Sequence, residues 1–113
     1  MLNRLLELEQ NNNNIKVAIL GAGKMGKAIF YQCSTSPGIN CVGIADIIPE
    51  KAIDTVKQFG FEYKEITNSS ELDLCIRSGK TAICTDGALL SNNENIDVFI
   101  DASTEIKEAV NIN

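Results

Sequence analysis

IKVAILGAGKMG, residues 15–26, is a short apolar run that ends in three glycines, Gly21, Gly23 and Gly26. A near-continuous apolar run closed by glycine fits a strand buried on both faces. The glycines fit a turn whose backbone N–H groups must approach an anion closely, because a Cβ would hold the ligand away. A helical pattern follows, and its positive N-terminus points at the same place. G-x-G-x-x-G is a weak signal alone; set between a strand and a helix it gains weight.

Working outward, Met25, Ala28, Ile29, Gln32 and Cys33 have the spacing of one helix face, and Ser36-Pro37-Gly38 stops that helix. Cys41–Ala45 reads as a second buried strand closed by Asp46. Pro49 suits a first helical position, with Ile48 a poor cap before it, and Ala52, Ile53, Val56 and Phe59 form the inward stripe up to Gly60. Residues 61–67 look irregular. Asn68 and Glu71 have capping-box spacing, and open a helix with Leu72, Cys75 and Ile76 inward and Gly79 as its stop. Thr81–Thr85 is a third strand, Asp86 caps a short helix over 87–91, and Ile96–Ile100 is a fourth strand. Ser103 or Thr104 caps a last helix carrying Ile106, Ala109 and Val110.

Alternating strands and helices predict an α/β fold with a parallel sheet and right-handed crossovers. The expected strand order is third, second, first, fourth: the first half of a doubly wound, Rossmann-type domain. Residues 15–113 form this incomplete domain. Residues 1–14 are an amphipathic helix with Leu2, Leu5, Leu6 and Leu8, which leans on the domain or on a second subunit, and an Asn-rich link. The fourth strand would stand on an open edge, an association hazard. Either the chain is the front piece of a longer protein, the favoured reading, or another chain covers that edge.

Composition narrows the functions. The 113 residues carry 10 Lys and Arg against 15 Asp and Glu, a net charge of −5, which argues against nucleic acid or an anionic membrane as the main partner. No apolar run approaches a membrane span, and the opening MLNRLLELEQ is not a signal peptide, so a cytoplasmic protein is expected. Cys33, Cys41, Cys75 and Cys84 form no C-x-x-C pair, and the chain has no histidine. The cysteines read as small buried hydrophobes in a reducing compartment, with no metal site. Without histidine the chain is poorly equipped for acid–base chemistry, and no catalytic residue is assigned.

The pattern fits an adenine dinucleotide. Gly21 permits the tight turn, Gly23 the close approach to pyrophosphate, and Gly26 the close packing of helix on strand, with Ala22, Lys24 and Met25 contributing backbone. Asp46, 20 residues beyond Gly26, sits where a carboxylate accepts hydrogen bonds from ribose hydroxyls. Its charge repels a 2′-phosphate, and the neighbouring Ile47 and Ile48 provide no arginine, so NAD is preferred over NADP. Ala102, Ser103 and Thr104 follow the fourth strand beside the first, where small residues admit the nicotinamide half and hydroxyls reach its ribose. The plainer readings are loop and helix caps at Asp46 and residues 103–104. Gly21–Lys27 also matches the G-x-x-x-x-G-K of a P-loop, but Ala28 stands where a Ser or Thr hydroxyl should hold Mg²⁺.

Five segments carry a resemblance over nearly the whole chain: LNRLL (residues 2–6), IKVAILGAGKMG, PGINCVGIAD (residues 37–46), IRSGKTAICTDGALL (residues 76–90) and IDVFIDAST (residues 96–104). Together they resemble the N-terminal domain of the homoserine dehydrogenase-like NAD(P)-dependent oxidoreductases that carry a SAF domain toward their C-terminus. The resemblance implies a Rossmann domain binding NAD or NADP, followed in full-length members by a catalytic and oligomerising region that takes a small-molecule substrate. Homoserine dehydrogenases interconvert homoserine and aspartate semialdehyde by hydride transfer. Ala-Thr-Gly usually follows the fourth strand in the family, where this chain has Ala102-Ser103-Thr104. The expectation is a cofactor-binding fragment that is inactive alone. The rivals are a non-catalytic redox-sensing module and the front half of another reductase, such as dihydrodipicolinate reductase.

Overall fold

A computed structural model of the chain describes residues 14–103. The strands are β1 (Ile15–Leu20), β2 (Ile39–Ala45), β3 (Tyr63–Glu65), β4 (Thr81–Cys84) and β5 (Val98–Asp101). The helices are α1 (Lys24–Thr35), α2 (Pro49–Gln58), α3 (Ser69–Ser78) and α4 (Gly87–Ser91). All strand pairs are parallel, in the order β3-β4-β2-β1-β5. The expected α/β class and Rossmann-type sheet are therefore present. The four strands read from the sequence keep their relative order, and β3 adds an outer edge within residues 61–67, which the sequence left irregular. The order thus differs in detail from the expected one.

Strand alternation sorts the core into two layers. Val17, Ile19, Ile44 and Ile83 face Phe30 and Cys33 of α1 and Ala52 and Val56 of α2. Ala18, Ala45, Ala82 and Cys84 face Leu72 and Cys75 of α3 and Leu90 of α4. The β1–β2 register shifts at Val17/Ala18, whose partners are Cys41 and Gly43, leaving Val42 as an extra residue. That bulge explains how Cys41 and Ile44, three positions apart, belong to the same layer.

Local chemistry sets the helix ends. The Asn68 side chain accepts the Glu71 N–H at 2.9 Å, and Glu71 accepts the Thr67 N–H at 2.9 Å, so the reciprocal cap forms one residue earlier than the standard box. Gly79 closes α3 with φ +77°. Ile48 supplies no side-chain cap to α2, as its residue type predicts.

The inward stripe of α1 differs from the expected one. Gly26, Phe30 and Cys33 are buried, with Ile29 half-buried, whereas Met25, Ala28 and Gln32 are exposed. Gly26 must face the β1 turn, and that contact fixes the helix rotation for everything after it. β2 also begins two residues before the expected strand, and β5 runs from Val98 instead of Ile96, because Lys16 N–H is taken by the Asp97 side chain at 2.8 Å. Among the described residues β5 is an edge strand, paired with β1 alone. The expected helices over residues 1–10 and after Thr104 lie outside the described residues.

Candidate functional site

In an all-parallel sheet every strand delivers its carboxyl end to the same edge. Here β1 is an interior strand, with the chain continuing to β2 on one side and β5 on the other, which makes the crevice above Leu20 the topological switch point. The strand exits are laced together. Gly21 N–H donates to Ala45 O at 2.7 Å, Ala102 N–H donates to Leu20 O at 2.7 Å, and Asp46 N–H donates to Cys84 O at 3.0 Å.

The glycine turn is built by contact as well as by torsion. Gly21 has φ +103°, and a Cβ there would lie 2.8 Å from Ala102 O. A Cβ on Gly26 would lie 2.0 Å from Gly21 O, so the first turn of α1 rests directly on the backbone of the β1 turn. α1 starts at Lys24 after an N-cap glycine, Gly23, with no side-chain cap and no acidic residue in its first turn. Its opening N–H groups precede the first intrahelical bond, from Lys27 N–H to Gly23 O at 2.9 Å. Lys24 and Met25 are exposed there.

Asp46 is half-buried beside this turn. Its Oδ2 accepts the Ala22 N–H and its Oδ1 accepts the Ile48 N–H, both at 2.8 Å. The carboxylate therefore ties the β1–α1 turn to the β2–α2 loop. A carboxylate has about four lone-pair sites, and these two bonds leave acceptor capacity on each oxygen. Next to it, Ile47 is 86% exposed, far beyond the usual exposure of a large aliphatic side chain.

On the other side of the turn, Ala102 is buried against Gly21. Ser103 donates both its N–H and its hydroxyl to Asp101 Oδ1. These two bonds, the hydroxyl first, hold the Asp101 carboxyl below the usual carboxylate range. The Ser103 hydroxyl expected to reach a ribose is thus engaged within its own loop. Thr104 lies outside the described residues.

Gly21, Ala22, Gly23, Lys24, Met25, Gly26, Asp46 and Ile47 accordingly gather on one side of the switch point, and Ala102 and Ser103 flank the turn from β5. Two features escaped the sequence. The Asp46–Ala22 link joins residues 24 apart through a tertiary approach that no local pattern records. The second is the turn that Asp101 makes with Ser103, for which an Asp two residues before a Ser was the available signal.

The chain's cysteines stay out of this edge's chemistry. Burial raises the pKa of Cys33, Cys41 and Cys75, and pushes the Cys84 thiol up to about 11. Among the described residues no group of three or more Cys, Asp or Glu is arranged to hold a metal. No described helix is long and apolar enough to cross a membrane. No protein-family model matches the chain, and no curated protein matches it significantly.

Proposed function

We propose that the chain is the NAD-binding domain of an oxidoreductase, of the homoserine dehydrogenase-like kind its sequence resembles. The observation that carries this reading is the α1 N-terminus, uncapped by any side chain, behind a glycine turn at the switch point with an anchored carboxylate alongside. An uncapped helix start favours an anion. The cradle suits a diphosphate, since a side chain on Gly21 or Gly26 would collide with backbone. Lys24 and Lys27 add positive field, and the remaining Asp46 acceptor sites suit a ribose diol. Ala28 supplies no hydroxyl for Mg²⁺, which disfavours a nucleoside triphosphatase.

In this reading the cofactor supplies hydride chemistry, and the chain supplies binding and orientation. Gly21–Gly26 hold the diphosphate, Asp46 selects the unphosphorylated ribose, and the Ala102–Ser103 backbone borders the nicotinamide side. Substrate groups and proton transfer come from a region outside these 113 residues, in keeping with the lack of histidine.

The test is calorimetric titration of NAD⁺ and NADP⁺ into wild type and Asp46→Ala. Loss of a charged acceptor weakens NAD⁺ by about 1–3 kcal/mol, while NADP⁺ is spared because a like charge has gone. An Asp46 that only ties the two loops together would weaken both cofactors equally, and that result would remove its ribose role.

A further inference from the structure

At the opposite, amino-terminal edge of the sheet, β2 and β4 start out of step. Their pairing begins at Gly43 and Ala82, although β2 itself begins at Ile39. Ile15 N–H donates to Gly38 O at 2.8 Å, which turns the main-chain groups of Gly38 and Asn40 toward β1. Neighbouring residues of a strand direct those groups to opposite sides, so Ile39 and Cys41 direct theirs to the flank that β4 does not yet cover. A cavity of about 160 Å³ occupies this gap, walled by Phe30, Phe61 and Ile76 together with Ile39 and Cys41.

Two polar side chains share the wall. Thr81 is 4% exposed and its N–H donates to Glu62 O at 2.9 Å, but among the described residues its hydroxyl has no partner. Lys80, next in the chain, is half-buried at the same place. Phe61 is 43% exposed although it meets the buried Phe30 edge-on, with ring centroids 5.6 Å apart. A buried hydroxyl, open main-chain donors and an ammonium group therefore surround a space with aromatic walls.

We propose that this cavity binds a small aromatic monocarboxylate, at a site separate from the one proposed for NAD. A volume of about 150 Å³ takes a benzene-sized group, so the ring fills the space between Phe30, Phe61 and Ile76. The carboxylate lies at Lys80, with the Thr81 hydroxyl and the Cys41 N–H as further donors. An anion serves these donors better than a neutral group, because charge-assisted hydrogen bonds are roughly twice as strong as neutral ones. The α3 C-terminus nearby is capped, with Cys75 O accepting both the Gly79 and the Lys80 N–H, which blunts its negative end. A second charge on the ligand would be buried against the phenyl rings without a partner, which excludes dicarboxylates.

The test is titration of benzoate into the isotopically labelled 113-residue chain, with benzamide as the neutral isostere. Benzoate is expected to give saturable amide shifts at Cys41, Phe61, Ile76, Lys80 and Thr81, with Ala22 and Asp46 unmoved. Lys80→Gln is expected to weaken benzoate by about tenfold or more and to leave benzamide unchanged. Thr81→Val, which keeps the shape and β propensity of the side chain, is expected to weaken benzoate by about threefold or more. Shifts that stay linear in benzoate concentration overturn the proposal, as does benzamide binding as tightly as benzoate. So do undiminished benzoate binding by Lys80→Gln and shifts centred on Ala22–Gly26, which would place the anion at the glycine turn. The dinucleotide reading is tested separately by NAD⁺, so either site can fail without the other.

Discussion

Replacing Gly26 with alanine tests the contact on which the glycine turn depends. The added Cβ would sit 2.0 Å from Gly21 O, and ordinary contact begins near 3.4 Å, so helix and turn must part by about 1.4 Å. Both partners are fixed by backbone, and no rotamer relieves the clash. Moving α1 also disturbs Phe30 and Cys33 in the layer beneath. Overpacking of this kind costs about 1–3 kcal/mol and occasionally more, while alanine returns up to about 1 kcal/mol of helix propensity. The backbone-to-backbone clash belongs at the severe end, which leaves a net loss of about 2 kcal/mol. For a domain of this size that lowers Tm by roughly 8–16 °C. Gly79→Ala is the control: a Cβ there meets nothing within 4 Å, but φ is +77°, and the cost is about 1–2 kcal/mol. Thermal melts followed by circular dichroism should rank wild type above Gly79→Ala and place Gly26→Ala lowest. A Gly26→Ala variant that melts with or above wild type would refute the close packing of α1 on the β1 turn.

Other outcomes follow from single contacts. Asn68→Ala removes the cap on the Glu71 N–H and should cost about 1 kcal/mol in urea unfolding; Asn68→Asp should retain most of it. The folded-state pKa of Cys84 lies above its ordinary value of 9.0, at about 11, because the thiolate is disfavoured by burial. Its contribution is therefore complete below pH 9 and is lost as pH rises toward 11, so the urea midpoint should fall over that window and fall less in Cys84→Ser. Glu71 and Asp101 have the opposite sign. Hydrogen bonds from Thr67 and from Ser103 depress their folded pKa values, so their contributions should disappear as pH drops through and below about 4. Urea midpoints of Glu71→Gln and Asp101→Asn should show a flatter acid limb than wild type.

What the sequence revealed was what neighbouring residues decide. The apolar run of β1, its glycines, the Asn68 cap and the Asp86 cap on α4, which accepts Ala88 N–H at 2.9 Å, are local signals and lie where the spacing places them. β3 was missed because Tyr63, Lys64 and Glu65 are all exposed and present no apolar alternation; the strand exists through pairing with β4. Its charges suit an outer edge. The α1 stripe was misread by one helical position because periodicity gives the width of a face, whereas the Gly26–Gly21 contact decides which way it turns. At the site, residue types and spacing indicated which groups would assemble. They did not show that Asp46 would hold the Ala22 N–H, which depends on how two adjacent strands end; the Asp101–Ser103 hydroxyl bond is a local turn whose signal, an Asp two residues before a Ser, was there to be read.

Titrating NAD⁺ into the isotopically labelled chain, with every backbone amide followed by NMR, is the most direct measurement of the dinucleotide site. Saturable shifts are predicted at Ala22–Gly26, Asp46–Ile48 and Ala102–Ser103, with the amino-terminal edge around Ile39 and Lys80 unmoved. Shifts that fail to saturate at millimolar NAD⁺, or that centre away from the β1–α1 turn, would contradict the account.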